Sequence, residues 1–140
     1  RHIDPADKTC DTRKDKRERR DVAKLALRIV FDKTHKIGPG KVALLEFIAE
    51  KGSIRAAAPC MDMSYRQAWL LIKNLEEIFG APVLDRATGG KSGGGAAPNA
   101  LGRAIMERYR RMERDTATAL AKDLKALEKL ANKQRNGSDA

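Results

Sequence analysis

Ser53-Ile54-Arg55-Ala56-Ala57-Ala58-Pro59-Cys60-Met61-Asp62-Met63-Ser64-Tyr65-Arg66-Gln67-Ala68-Trp69-Leu70-Leu71-Ile72-Lys73-Asn74-Leu75-Glu76-Glu77-Ile78-Phe79 is the stretch whose reading decides the fold. Ser53 and Ser64 each stand where a helix N-cap is needed, ahead of residues that continue in helical pattern. Between them Asp62-Met63 forms a tight turn. After Ser64 the apolar residues Ala68, Ile72, Leu75 and Phe79 share one helical stripe, and Gly80 closes it in the manner of a helix C-terminus. The stretch therefore predicts a short helix, a turn and a longer helix.

Upstream, Ile37-Gly38-Pro39-Gly40 is a breaker cluster that also sets a helix start. From Lys41 the residues Val42, Leu45, Ile48 and Ala49 recur at helical spacing up to Gly52, and Leu44 and Phe47 widen the buried face. Leu25 to Asp32 is short and rich in β-formers, which predicts a strand followed by a turn over Lys33 to Lys36. Downstream, Ala81 to Arg86 reads as an extended segment leading into the glycine-rich loop Thr88 to Gly95. Asn99 caps a last helix reaching about Asn132, with Ile105, Tyr109, Met112, Thr116, Leu120, Leu124, Leu127 and Ala131 on one stripe. The whole order predicts a mainly α protein with a small β-hairpin: a winged helix-turn-helix with a long C-terminal helix. Residues 1–21 read as a flexible basic arm, 22–132 as the domain with its dimerisation helix, and 133–140 as a disordered tail.

At 140 residues the chain can bury one core. Its formal net charge of +10 points to a polyanion partner, nucleic acid ahead of anionic lipid, although a solvated positive face has the same signature. No apolar run approaches membrane-spanning length, and Arg1 to Lys24 has no signal-peptide core, so a cytoplasmic, nucleoid-associated protein of a bacterium or archaeon is expected. Cys10 and Cys60 match no metal or redox spacing and read as free thiols. Catalysis finds no support: the histidines are His2 and His35, and no nucleophile elbow or metal-ligand spacing occurs. Gly90-Lys91-Ser92 looks like the end of a phosphate-binding loop, but the pattern's first glycine falls on Asp85. No catalytic, metal or cofactor residue is assigned.

The candidate function therefore rests on DNA contact. In a helix-turn-helix the second of the paired helices lies in the major groove with its N-terminal residues on base edges. That turn presents Ser64, Tyr65, Arg66 and Gln67. Arg66 matches guanine and Gln67 adenine, while Ser64 offers its hydroxyl and the helix amides to a phosphate. Arg55 is a further candidate DNA-binding residue, Lys73 is a candidate backbone contact, and Trp69 is assigned to packing. In the loop, Arg86, Thr88, Lys91 and Ser92 would grip the sugar-phosphate backbone, with Gly89 and Gly90 permitting close approach.

The stretch from Gly38 to Gly102 resembles the N-terminal DNA-binding domain of the molybdate-dependent transcriptional regulators, the ModE family, whose helix-turn-helix is similar to that of LysR-type regulators. Gly38-Pro39-Gly40-Lys41-Val42-Ala43-Leu44-Leu45 is similar to the opening of its first core helix. Gly52-Ser53-Ile54 with Ala56-Ala57-Ala58 resembles the brace helix, and Met63-Ser64-Tyr65-Arg66 with Ala68-Trp69 the recognition helix. Arg86 to Ala96 looks like the family's wing. The departures are Pro59 to Asp62, where Pro59 should end the brace helix early and Asp62 replaces a turn glycine, and Pro98-Asn99 after the wing. Family members carry molybdate sites in a separate C-terminal pair of small β-barrels. Nothing of that kind follows residue 132, so molybdate is not expected here.

The resemblance implies a homodimer. Leu120, Leu124 and Leu127 on the last helix, with Leu25 and Leu27 adding a contact, are the candidate seam. Such a dimer would read half-sites about 34–36 Å apart. The expected function is a sequence-specific transcriptional regulator, acting as a repressor. The alternatives are a non-specific architectural nucleic-acid-binding protein and, behind it, a protein-interaction module.

Overall fold

The computed structural model describes residues 23–86 and 95–137. The expected arm at 1–21, the loop residues Thr88, Gly89, Gly90, Lys91 and Ser92, and the end of the chain at 138–140 lie outside the described residues. The elements run β1 (Ile29–Val30), β2 (Lys36–Ile37), α1 (Pro39–Lys51), α2 (Ile54–Ala57), a 3₁₀ turn (Ala58–Met61), α3 (Tyr65–Phe79), β3 (Leu84–Arg86), β4 (Ala96–Pro98), α4 (Ala100–Ala119) and α5 (Ala121–Gly137).

Helix α1 begins on Pro39, whose fixed φ suits a first helical position, and ends where Gly52 takes φ 85° and donates its N–H to the Ile48 carbonyl. Val42, Leu44, Leu45 and Ile48 on this helix have no exposed surface. Such broad burial suits a central helix, in contact with α2, α3, β4 and α4. Ala49, expected on the buried stripe, is exposed, while Leu44, expected to widen that face, is buried. The rest of the core is aliphatic and small: Ile54, Ala57, Ala58, Ala68, Ile72, Leu75, Val83 and Ile105. Tyr109 joins them and spends its hydroxyl on the Leu27 carbonyl at 2.6 Å.

The strand expected over Leu25 to Asp32 shrinks to Ile29–Val30, paired antiparallel with Ile37 and Lys36. The cause is its partner. The Gly38-Pro39 breaker starts a helix at once, leaving β2 only two residues to offer. The turn between them is built on Asp32, whose carboxylate accepts from the Thr34 and His35 amides, each at 2.9 Å. Upstream of β1 the segment is held by side chains: Leu27 by Tyr109, and the Ala23 amide by the Glu128 carboxylate at 2.7 Å.

Strands β3 and β4 pair antiparallel in the register Leu84↔Pro98, Asp85↔Ala97, Arg86↔Ala96, forming the root of the expected hairpin. Ala96 also donates to the Gly52 carbonyl at 2.8 Å, tying that root to the end of α1. Asn99 caps α4 through the Gly102 amide at 2.9 Å. Its own amide groups reach the Val83 and Pro82 carbonyls.

The single last helix expected from Asn99 to Asn132 is two helices, broken at Leu120, where φ is −106° and ψ 13°. No proline or glycine stands there. Thr116 donates its hydroxyl back to the Met112 carbonyl at 2.6 Å, a bond that bends helices. Beyond Tyr109 this helix has no buried residue to hold it straight. Helix α5 buries none of its residues and continues to Gly137, past the expected end at Asn132.

Candidate nucleic-acid interface

The two paired helices are set by their caps. Ser53 accepts from the Ala56 amide at 3.0 Å and starts α2, which Pro59 then converts to a 3₁₀ turn, the early ending expected of it. Asp62 closes that turn at φ 55°, the left-handed conformation that aspartate tolerates better than most residues. Its N–H and that of Met63 return to the Pro59 and Ala58 carbonyls. Cys60, expected as a free thiol, is disulfide-bonded. Cys10 lies outside the described residues.

Ser64 starts α3 with a reciprocal box: its hydroxyl accepts from the Gln67 amide at 3.1 Å, and the Gln67 side-chain oxygen accepts from the Ser64 amide at 2.9 Å. This uses one of the two lone pairs on the Gln67 oxygen and leaves the NH₂ group to donate. A paired contact to adenine would have to share that oxygen with the Ser64 amide, whereas a base acceptor such as guanine O6 or thymine O4 needs the NH₂ group alone.

Tyr65 and Arg66 are exposed on the same turn. The Arg55 guanidinium, reaching over from α2, lies 4.8 Å from the centre of the Tyr65 ring. Among the described residues no carboxylate forms an ion pair with Arg55, Arg66 or Arg86. Lys73 differs. It sits 5.3 Å from the centre of the Trp69 ring and 3.6 Å from the Glu76 carboxylate, so part of its charge is already answered within α3. Trp69 itself is half-buried against the core, as packing predicts. Arg86 is exposed on β3, at the last described position before the loop.

A polar clamp on the back of α3 was not foreseen. His35 places Nδ1 at 2.8 Å from Asp32 and Nε2 at 3.2 Å from Glu77 of α3. The Asn74 amide donates to the Thr34 carbonyl at 2.8 Å and accepts from the Lys41 ammonium. Phe31 meets Phe79 edge to face at 6.2 Å. The β1–β2 turn thereby grips the second half of the helix whose first half faces outward. A histidine in a polar turn was the available signal, but its partner in α3 is 42 residues away.

The hydrogen bond to Asp32, then that to Glu77, raises the His35 pKa above its ordinary value, and hydrogen bonds from Thr34 and His35 bring Asp32 down to about 2. A raised histidine pKa stabilises the fold fully below the unfolded value, about 6.5, and the gain is lost as pH rises through the folded value. Thermal melts of the wild type and His35→Ala should accordingly differ most near pH 6 and converge towards pH 8.5. A gap that widens with pH would refute the clamp.

For the dimer candidates, Leu25, Leu27 and Leu124 come together within one chain, lining a hollow with Arg110, Glu113 and Ala117. Leu120 and Leu127 do not join them and are 40% and 62% exposed. No His, Cys, Asp and Glu cluster suited to a metal occurs among the described residues. The hollow of about 320 Å³ between the β1–β2 turn and α4 is lined mainly by apolar side chains, Ile29, Phe31, Phe79, Leu101, Ile105 and Met112 among them, with Arg108 and Tyr109 also on its wall. No described helix is long and apolar enough to cross a membrane.

A capped short helix, a left-handed turn and a second capped helix, followed by a hairpin root, correspond to the family described as bacterial regulatory helix-turn-helix protein, lysR family, whose model matches residues 40–103. Residues 40–103 are a lysR-type helix-turn-helix domain. This domain is similar to the corresponding part of ModE regulators. The chain is 35% identical over 108 residues to the molybdenum-pterin-binding protein MopB of Rhodobacter capsulatus, covering 76% of this chain and 40% of that protein. It is 38% identical over 78 residues to the transcriptional regulator ModE of Haemophilus influenzae, covering 56% of this chain and 31% of the relative. With the DNA-binding transcriptional dual regulator ModE of Escherichia coli K12 it shares 37% identity over 71 residues, 51% of this chain and 27% of the other. The chain thus spans 40% or less of the length of these relatives. The lysR-type domain belongs with DNA-binding regulators rather than enzymes.

Proposed function

We propose that this chain binds double-stranded DNA site-specifically and regulates transcription as a homodimer, acting as a repressor by occupying its operator. The observation that carries the reading is the N-terminal face of α3. Tyr65 and Arg66 stand exposed beside Arg55, with no carboxylate paired to either arginine among the described residues, in a chain of net charge +10. Such a face costs electrostatic energy in isolation and regains it against phosphates and guanine edges. Helix α3 enters the major groove, α2 crosses the backbone, and Arg86 leads into a wing in which Thr88, Gly89, Gly90, Lys91 and Ser92 follow the flanking strand. The exposed Leu120 and Leu127 on the last helices supply the self-complementary seam. A cytoplasmic, DNA-associated location follows from that role.

The test is recovery of sheared genomic DNA by the purified chain at about 150 mM salt, where weak non-specific binding fades, followed by sequencing. Enrichment of a few inverted repeats supports a site-specific dimer; uniform recovery favours an architectural role. A parallel arm with millimolar molybdate should leave the set of enriched sites unchanged.

A further inference from the structure

Arg55 and Tyr65 sit on different helices, yet each follows closely on a capping serine. Ser53 anchors the start of α2 just before Arg55, and Ser64 anchors the start of α3 just before Tyr65. The two caps bring the guanidinium to 4.8 Å from the ring centre while both side chains stay exposed. We propose that Tyr65 is a positioning residue, whose ring holds the Arg55 guanidinium flat so that its N–H edge clasps one backbone phosphate. The inference rests on the DNA-binding reading above and names the work of two residues within it.

An aromatic ring engages the face of a guanidinium and leaves its in-plane N–H donors free. In this protein other arginines spend those donors internally: Arg110 on Glu46 and Glu113, Arg103 on the Pro98 carbonyl. Arg55 is exposed and has no acceptor among the described residues, and in the DNA-binding reading its helix α2 is the one that crosses the DNA backbone. A free arginine stem would have to be ordered on binding; the stacked one is ordered already, so less affinity is lost. With its ring covered by Arg55, Tyr65 is not the base reader that its place in the recognition turn suggests.

The experiment measures fluorescence anisotropy of the full chain on a labelled duplex carrying the best-recovered genomic site, over a series of salt concentrations. Arg55→Ala should weaken binding and reduce the salt slope by about 0.9, the signature of one lost phosphate contact. Tyr65→Leu should weaken binding about two- to fivefold, with a flattened slope. The double variant should be no weaker than Arg55→Ala alone, and Tyr65→Phe, which keeps the ring, should bind as the wild type does. Tyr65→Phe as weak as Tyr65→Leu, or losses that add in the double variant, would overturn the proposal while leaving DNA binding intact. A wild type that binds no duplex even at low salt would remove the functional reading itself, and the positioning role with it.

Discussion

Gly102→Ala should destabilise the fold by about 1–3 kcal/mol, the range for forcing an extra methyl into a packed core. A Cβ on Gly102 would lie 2.4 Å from the Val83 carbonyl oxygen and 3.1 Å from the Pro98 side chain. Val83 precedes β3 and Pro98 ends β4, so the clash falls at the root of the hairpin. Relief requires backbone to move, and the Asn99–Val83 bond at 2.9 Å is in its path. Gly40→Ala is the control: its Cβ would meet nothing within 4 Å, and alanine is the better helix former. Thermal and urea unfolding should show Gly102→Ala clearly below the wild type and Gly40→Ala at or above it. Equal stability of the two variants would mean that α4 does not pack on the hairpin root this closely.

Arg66→Ala should cost the preferred duplex about tenfold to a hundredfold in affinity, the 1–3 kcal/mol carried by a paired contact to guanine. Arg66 is exposed one position beyond Tyr65 and has no carboxylate partner among the described residues, so its truncation leaves no orphaned charge in the free protein. The loss should be confined to sites with the matching base pair, relaxing specificity at that position alone. Competition binding against a panel of single-base variants measures this. A uniform loss across the panel with a reduced salt slope would make Arg66 a phosphate contact instead.

The candidate site was legible wherever a local bond makes it. Ser53, Ser64 and Asn99 as caps, Gly52 and Gly80 as helix ends, Pro59 as an early stop and Asp62 as a left-handed turn all stand as the residue types foretold. The Ser64–Gln67 box was also legible, since a serine followed three residues later by glutamine is its signature. Lys73, a candidate backbone contact, also meets Trp69 and Glu76, each about one turn away on the same helix.

Other features were hidden because both partners had to be known. Leu25 to Asp32 has the β-forming composition of a strand, but strand length is set by the partner, and β2 is cut short by its own breaker. The last stripe, Ile105 to Ala131, is continuous in sequence, yet the helix bends once Tyr109 has used the available core.

What the sequence by itself determined, then, is the order of capped helices and the winged helix-turn-helix they build, because those signals act across a single turn of chain. Only the tertiary structure decided how the recognition helix and the segment before β1 are held: His35 against Glu77 across 42 residues for the first, and Tyr109 against Leu27 across 82 and Ala23 against Glu128 across 105 for the second. The reason is physical. A cap satisfies a backbone group within reach of its own side chain, whereas these contacts exist only after the core has folded their partners into range.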